Sequence, residues 1–442
     1  MNGRYWVRWS AEHGAPRAIL RWRIRRGDPF ATLLGGQRGY VEPYPLLDEL
    51  RAGGGIQRRS FAHAAFDHAP VRAMLRDPRF GVRPALGEEL PTAWRALAER
   101  VTLPPNPVEP PSMLVLNPPE HTRMRRPVAS AFTPRAIARL RERVEVVTAE
   151  LLDAMPADGS VDLITDFAAR VPIAIIADML GFPASARESF LAWGDKVTPL
   201  LDIGTSWASY RAAMVAIEEM DDYLADHIAT LRRAPGEDIL STLVSSGDLS
   251  LRELQAGASL LMGAGFETTV NLIGNAVWAL SAHPDQLALA QADPARWADV
   301  VEETLRFDPP VQTTARQALE DVEIEGTRLR AGTTVILSLA GANRDPAVFP
   351  DPHRFDIGRT NLKEHVAFSS GIHVCLGASL ARMEAVHALG ALYARYPNLR
   401  VRGEPVRRKL FTLHGFEHMP VDLGPVARTS APDDMAGAAR PV

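Results

Sequence analysis

The sequence of 442 residues predicts one mainly α-helical domain with a small β portion. Hydrophobic residues make up 46% and charged residues 23% of the chain, which is typical of a soluble globular protein with a large core. Residues 256–282 carry one formal charge, which predicts a long helix buried at the centre of the domain. Residues 311–346 alternate short apolar runs with turn residues, which predicts the β portion.

Composition limits the classes of function. The net charge of −4 argues against a general affinity for nucleic acid. The N-terminus has no uninterrupted apolar run of the kind found in signal peptides, which favours the cytoplasm. Cys375 is the single cysteine, so no intramolecular disulfide can form.

The first segment, residues 1–39, combines arginines with aromatic residues. Such a segment can lie on an anionic membrane surface. The alternative, which we favour, is a helix that packs on the body of the protein with its arginines solvated. The arginines are Arg4, Arg8, Arg17, Arg21, Arg23, Arg25 and Arg26, and the aromatic residues are Tyr5, Trp6, Trp9, Trp22 and Phe30.

The main domain is predicted to span residues 40–424. Residues 83–111 are rich in proline and cannot form one continuous helix, so they are either a loop that covers a binding site or a plain surface connection. Residues 425–442 are small and polar, which predicts a disordered tail.

The central helix has an unusual middle, because residues 263–271 read GAGFETTVN. A membrane span is rejected, since Glu267, Thr268, Thr269, Asn271 and Asn275 lie inside the apolar stretch. Thr268 can donate a hydrogen bond to the carbonyl of Ala264 four residues earlier. Glu267 is the only ionisable group of the stretch. It is either part of a proton relay with Thr268 or a capped buried acid beside an ordinary helical threonine.

A second helix is predicted to begin at Asp293-Pro294 and to end before Pro309. Glu303 and Arg306 lie three residues apart in it, so both side chains share one face and can form a bidentate ion pair. This spacing alone is weak evidence for a function.

The cysteine lies in residues 368–377, which read FSSGIHVCLG. A helix is predicted after Gly377 and through Arg395, so Cys375 lies at a helix N-terminus, where a thiolate is favoured. A thiolate is a suitable axial ligand for haem iron, and His373 could donate to a carboxylate of the same group. The alternative is a small buried hydrophobic side chain.

The pattern Phe-x-x-Gly-x-His-x-Cys-x-Gly resembles the haem-ligand loop of cytochrome P450 enzymes. The resemblance covers about residues 40–423. Ser369 is a departure, because many members of the family have glycine there. The resemblance implies the cytochrome P450 fold, a triangular-prism helical domain with a long central I helix, and haem b held by Cys375.

The resemblance also implies roles for further residues. Glu267 and Thr268 match the acid–alcohol pair that the family uses in oxygen activation. Glu303, Arg306 and Arg359 match a buried structural network. The matching haem contacts are His121, Arg125, Ala264, Arg316, Phe368, His373, Cys375 and Gly377, where His121, Arg125 and Arg316 bind propionates. The substrate pocket is expected to contain Ala264, Val311, Gln312, Thr313 and Leu413.

The implied reaction inserts one atom of O₂ into a hydrophobic small molecule, by hydroxylation or epoxidation, with electrons from a ferredoxin and its reductase. A basic patch could steer an acidic ferredoxin or could be an ordinary solvated face. Its residues are Arg123, Arg126, Arg135, Arg139, Arg141 and Arg143, with Glu142 and Glu145 as the nearest acids. Two alternatives are a peroxygenase that uses H₂O₂, against which Glu267 and Thr268 argue, and a haem-binding sensor or store without turnover.

Overall fold

The structure is a computed structural model that describes residues 3–60, 62–82, 104 and 106–426. Most of the proline-rich segment predicted at 83–111 and nearly all of the predicted tail at 425–442 lie outside the described residues. The side chains of residues 3, 4 and 134 are also outside the description.

The described residues are mainly helical, as predicted. The longest helix, α13, has 32 residues. The helices are α1 Gly3–Trp9, α2 Ala15–Arg25, α3 Pro29–Gly35, α4 Gln37–Val41, α5 Tyr44–Arg51, α6 His68–Arg76, α7 Glu120–Ala129, α8 Pro134–Ala154, α9 Arg170–Met179, α10 Arg187–Val197, α11 Trp207–Arg233, α12 Ile239–Ser246, α13 Leu251–Ala282, α14 Pro284–Ala292, α15 Trp297–Phe307, α16 Leu339–Ala342 and α17 Ala378–Arg395.

The β portion consists of short strands in small sheets. One sheet has the order β1-β2-β8-β5-β3, with β2 and β8 parallel and the other pairs antiparallel. A second sheet has the order β4-β12-β9, and β6-β7 and β10-β11 form two-stranded sheets. The strands are β1 Ile56–Arg58, β2 His63–Ala65, β3 Phe80–Gly81, β4 Ser160–Asp162, β5 Thr313–Ala318, β6 Val322–Ile324, β7 Thr327–Leu329, β8 Thr334–Ser338, β9 Arg400–Val401, β10 Val406–Arg407, β11 Phe416–His418 and β12 Pro420–Asp422.

Helix α13 is the centre of the fold. It begins with a capping box, in which the Ser250 side chain accepts from the Glu253 N–H and the Glu253 side chain accepts from the Ser250 N–H. Helices α9, α11, α15 and α17 pack around it, so the low charge of residues 256–282 reflects burial on nearly all sides. Within the described residues, no helix combines the length and the hydropathy needed to cross a membrane.

The N-terminal segment packs on the body of the protein. Leu20 of α2 is buried in a cluster with residues of α3 and α5. On the outer side of the same helix, Ile19 is 51% exposed and Trp22 is 47% exposed, and the Arg26 guanidinium lies 4.1 Å from the centre of the Trp22 ring. The helix therefore packs through one face and exposes a basic aromatic face.

A fully buried ion pair fixes the segment before the cysteine loop. Arg306 Nε donates to Glu303 Oε2 at 2.7 Å, and Arg306 Nη2 donates to Glu303 Oε1 at 2.8 Å. Arg359 Nε donates to the same Oε1 at 3.2 Å. The remaining guanidinium hydrogens of Arg306 go to carbonyls of the loop between α16 and the cysteine, namely Asn343, Pro352 and Arg354.

The backbone before Cys375 uses left-handed conformations. Gly371 has a φ of 75°, and a Cβ atom at that position would lie 2.4 Å from the carbonyl oxygen of Leu75, so only glycine fits. Ser369 has a φ of 62°, a conformation that glycine adopts without strain and serine does not. This explains why glycine is favoured at the position where this chain carries serine.

Helix α17 carries a buried carboxyl group, Glu384, against α13. Desolvation raises the pKa of Glu384 to about 8, and a hydrogen bond with Thr269 of α13 acts in the opposite direction. Glu384 therefore keeps its proton at neutral pH in the folded protein.

The backbone of Ser369 generates a prediction about stability. Ser369→Gly should raise the free energy of unfolding by up to about 1 kcal/mol. The substitution removes the backbone strain of a serine in the left-handed conformation, and this gain exceeds the free-energy cost of the greater freedom of glycine in the unfolded chain. Ser370 has an extended backbone with a φ of −154°, so Ser370→Gly is the matched control and should be destabilising. Urea unfolding measures both, and equal effects of the two substitutions would contradict the explanation.

Glu384 generates a prediction about pH. Its folded pKa lies above its unfolded value, so the stability that its proton contributes is fully present below the unfolded pKa and is lost as the pH rises towards 8. Glu384→Gln removes this loss. As the pH rises from 5 to 8, the free energy of unfolding of the variant should increase relative to that of the parent by on the order of 3 kcal/mol. The control is Glu150→Gln, because Glu150 is exposed. The free energy of unfolding is measured for all three proteins from pH 5 to pH 8. Parallel pH profiles of the parent and Glu384→Gln would contradict the prediction.

Candidate active site

Cys375 lies two residues before Gly377, the residue that caps α17, and its side chain is exposed. Its backbone N–H donates to the Phe368 carbonyl at 2.9 Å, which closes the loop. Desolvation by the surrounding protein raises the pKa of the thiol, while the Gly377 N–H and the guanidiniums of Arg125 and Arg382 lower it. The expected groups that favour a thiolate are present, but desolvation by the protein atoms around the sulfur outweighs them, even though the surface of the thiol itself is exposed. A cation bound at the sulfur would reverse this balance.

One face of α13 is open in the middle of an otherwise buried helix. Ala264 is exposed, and Leu261, Gly265 and Thr268 on the same face are partly exposed. The Thr268 hydroxyl donates to the Ala264 carbonyl at 3.0 Å. The side chains that line the open face are therefore mostly small, and one of them carries a hydroxyl group.

Glu267 does not share this face. Consecutive helical side chains diverge by about 100°, and the carboxylate of Glu267 faces Arg408, whose Nε lies 3.1 Å from Glu267 Oε1. Arg408 Nη1 also donates to Asp195 of α10 at 3.0 Å. Desolvation raises the pKa of Glu267, Arg408 lowers it and Asp195 raises it further.

These three charged residues line a cavity of about 920 Å³ between α2, α10, α13 and the β10–β11 connection. Ala264, Thr268 and Cys375 do not line it. This cavity is thus separate from the open face of α13, and Glu267 is the polar residue of α13 that faces it.

A cluster of basic side chains forms a second feature of the site. The rings of His121 and His373 lie 4.2 Å apart, and both nitrogens of His121 and Nε2 of His373 are buried without a hydrogen-bond partner. Desolvation lowers the pKa of His373 to about 3, with further contributions from His121, Arg316 and Arg125. Burial also lowers the pKa of Arg316 to about 10.

No carboxylate of the described residues pairs with Arg125 or Arg316. Arg316 donates only to Thr314 and to the Ala315 carbonyl, and Arg125 donates to the Val374 carbonyl at 2.5 Å. Converging donors without a counterion fit a ligand that brings its own carboxylates. Together with the open face at Ala264 and the exposed Cys375, the donor set fits haem, with its two propionates and its iron.

The residues predicted to line the substrate pocket differ in their exposure. Val311 is partly exposed and forms a β-bridge with Leu413, which is itself buried. Gln312 and Thr313 are also buried, and the Gln312 amide donates to the Pro309 carbonyl at 2.7 Å. The Gln312 amide nitrogen is thus bound to the preceding backbone, and the assignment of Ala264, Val311, Gln312, Thr313 and Leu413 to a substrate pocket stays a prediction.

Sequence reasoning missed several residues of the site. Arg408 follows Glu267 by 141 residues, and Glu302, His365 and Arg382 form a further cluster beside the cysteine loop. No local pattern marks these contacts. The one available signal was Glu302 itself, which is a second carboxylate directly before Glu303 in a buried helix.

Comparisons with known proteins agree with this geometry. A family model described as Cytochrome P450 matches residues 298–412. Cytochrome P450 140 of Mycobacterium tuberculosis is 42% identical over 435 residues, which cover 96% of this chain and 99% of that protein. The vitamin D(3) 25-hydroxylase of Pseudonocardia autotrophica is 38% identical over 402 residues, which cover 87% of this chain and 95% of that protein.

A solved structure shows the same fold. The ligand-free structure of Mycobacterium smegmatis CYP164A2 superimposes with a TM-score of 0.80 at 36% identity, covering 89% of this chain and 99% of that chain. The predicted fold, the haem cofactor and the class of oxygen-incorporating oxidoreductase are therefore confirmed. The chain belongs to the cytochrome P450 family.

Proposed function

We propose that Cys375 would hold the haem iron through its thiolate and that the enzyme inserts one atom of O₂ into a hydrophobic small molecule, with electrons from a ferredoxin and its reductase. The observation that carries the proposal is the position of the single cysteine. Its exposed thiol lies on a loop that also contributes His373 to a basic cluster without a described counterion.

When bound, haem supplies the activation of oxygen, and the protein supplies binding, orientation and protons. Cys375 would hold the iron. Arg125, Arg316, His121 and His373 would bind the propionates, since His121, Arg316 and Arg125 are close enough to lower the pKa of His373 and neither arginine pairs with a described carboxylate. The guanidinium of Arg316 is constrained because it is buried.

The open face of α13 would receive the substrate. Ala264 has the smallest side chain other than glycine, so a substrate can approach the helix closely there, and Thr268 places one hydroxyl beside it. We infer that Thr268 and Glu267 move protons to this face. Because Glu267 points towards Arg408, transfer to Thr268 needs a bridging water or a rotation of the Glu267 side chain.

The substrate class rests on the apolar character of this face and on relatives. Two relatives are named as hydroxylases, the vitamin D(3) 25-hydroxylase and the 6-deoxyerythronolide B hydroxylase of Saccharopolyspora erythraea. We propose that this chain likewise hydroxylates a hydrophobic small molecule.

Electron delivery is proposed to use the basic surface around α7 and α8. Arg126, Arg135 and Arg139 are exposed, and none of them forms an ion pair with a described carboxylate. Arg123 and Arg143 are different, because they pair with Glu253 and Asp178. Exposed unpaired arginines beside the Cys375 loop, to which Arg125 of α7 donates, suit an acidic redox protein.

The ligand assignment predicts a spectrum. The dithionite-reduced protein with carbon monoxide should show the strongly red-shifted Soret band of thiolate-ligated haem, and Cys375→Ser should lose this band, because the chain has no other thiolate. The measurement is an absorbance difference spectrum with and without carbon monoxide. A band typical of histidine-ligated haem in the parent protein would contradict the assignment.

The proposed proton relay through Glu267 and Thr268 predicts that loss of Thr268 uncouples electron consumption from product formation. Thr268→Ala should still consume reduced nicotinamide with ferredoxin, reductase and a hydrophobic substrate, but the product formed per electron pair should fall about tenfold or more, with release of H₂O₂. Thr269→Ala is the matched control, since Thr269 is buried away from the open face, and it should couple like the parent.

The same assay separates the other classes of function. Product formed from H₂O₂ but not from the redox chain would identify a peroxygenase. Bound haem with no product from either oxidant, across sterols, terpenoids, lipids and macrolides, would identify a sensor or store. Unchanged coupling in Thr268→Ala would remove the relay role from Thr268.

A further inference from the structure

Glu302 directly precedes Glu303 in α15 but binds a different set of partners. It is buried, and its carboxylate lies between two segments that are far apart in the sequence. Arg382 of α17 donates to it twice, from Nε to Oε1 and from Nη2 to Oε2 at 3.1 Å. His365 Nε2 lies 3.1 Å from Oε2. The Glu302 bridge, defined as Glu302 with His365 and Arg382, joins the residues before and after Cys375.

The hydrogen bonds of His365 fix its tautomer. The Ala367 N–H donates to His365 Nδ1 at 3.2 Å, so Nδ1 is the acceptor and Nε2 carries the proton that is donated to Glu302. Because His365 is buried, a neutral ring with one acceptor and one donor satisfies both nitrogens. The entrance of the cysteine loop is thereby bonded to α15.

Arg382 connects the bridge to the thiol. Its guanidinium lies 4.5 Å from the centre of the Phe368 ring, and the His365 ring lies 6.2 Å from the same ring. The Phe368 carbonyl accepts the hydrogen bond from the Cys375 N–H. The position of this guanidinium therefore affects the loop that presents the thiol.

We propose that Glu302 is a positioning residue for the thiolate ligand, which it orients by binding His365 on one side of the cysteine loop and Arg382 on the other. The proposal rests on the proposed ligation of haem iron by Cys375. It requires a Glu302 charge that opposes the Arg382 charge, and no other described carboxylate pairs with Arg382.

The electrostatics of the bridge agree with an ionised Glu302. Desolvation would raise the pKa of Glu302, but the hydrogen bonds from His365 and Arg382 and the charge of Arg382 outweigh it and hold the pKa below its ordinary value. A neutral glutamine of the same size would accept fewer hydrogen bonds and would place an NH₂ group against the guanidinium. Arg382 would then lose the partner that fixes it over Phe368.

The test uses the holoenzyme and three variants, Glu302→Gln, Arg382→Gln and the double variant. Hydrogen exchange of the amides of residues 366–378 should be about tenfold or more faster in each single variant, because the charge pair that the buried Glu302 forms with the half-buried Arg382 is broken next to the loop. The double variant should exchange no faster than the single variants, since both remove the same interaction. The reduced carbon monoxide complexes of the variants should show a smaller thiolate-type band.

Asp178→Asn is the matched control. Asp178 of α9 also binds two arginines, Arg143 and Arg187, and its loss should leave loop exchange and the spectrum unchanged. If Glu302→Gln does not accumulate as holoenzyme, Arg382→Gln tests the same pair at a side chain that is 36% exposed.

Parent-like loop exchange in the single variants, or additive effects in the double variant, would overturn the proposal. Absence of a thiolate-type band in the parent would instead count against Cys375 as the ligand. The exchange pattern then still decides whether Glu302 holds the loop, so the two failures are distinguishable.

Discussion

The buried ion pair between Arg306 and Glu303 is the interaction on which the segment before the cysteine loop depends. All five donors of Arg306 are used, two by Glu303 and three by backbone carbonyls of residues 343, 352 and 354. Carbonyls of an irregular segment have no strand or helix partners of their own. A single side chain of α15 therefore supplies the order that regular secondary structure would otherwise supply, and this order extends to the cysteine loop.

Glu302 and Glu303, two consecutive acids of α15, bind different segments, because neighbouring side chains of a helix point in different directions. Glu303 binds Arg306 and Arg359 and fixes the irregular segment. Glu302 binds His365 and Arg382 and joins the loop to α17. The loop is thus held by the rigid helix from two directions. The cysteine itself needs no packing of its side chain, which leaves the thiol exposed to a ligand.

The sequence was informative where contacts are local. The ends of α17, the hydrogen bond from Thr268 to the Ala264 carbonyl and the meeting of Glu303 with Arg306 all depend on spacings within one helical turn or on cap residues. Contacts between distant segments leave no such pattern, so Arg408 beside Glu267 and Arg382 beside Glu302 were not predicted. The net direction of the Cys375 pKa was also missed, because desolvation depends on the packing of the whole fold.

The two polar groups in the middle of α13 serve different sides of the helix, and this constrains how they can cooperate. Thr268 bonds to its own helix on the open face, whereas Glu267 is held towards the charged cavity by Arg408, which is also bound by the more exposed Asp195. Burial favours a protonated Glu267, and Arg408 favours an ionised one. A buried acid with such opposed influences can take a proton on one side and deliver it to the other by rotating or through a bridging water. The separation of Glu267 from Thr268 is therefore consistent with a relay that keeps the open face apolar until a proton is delivered.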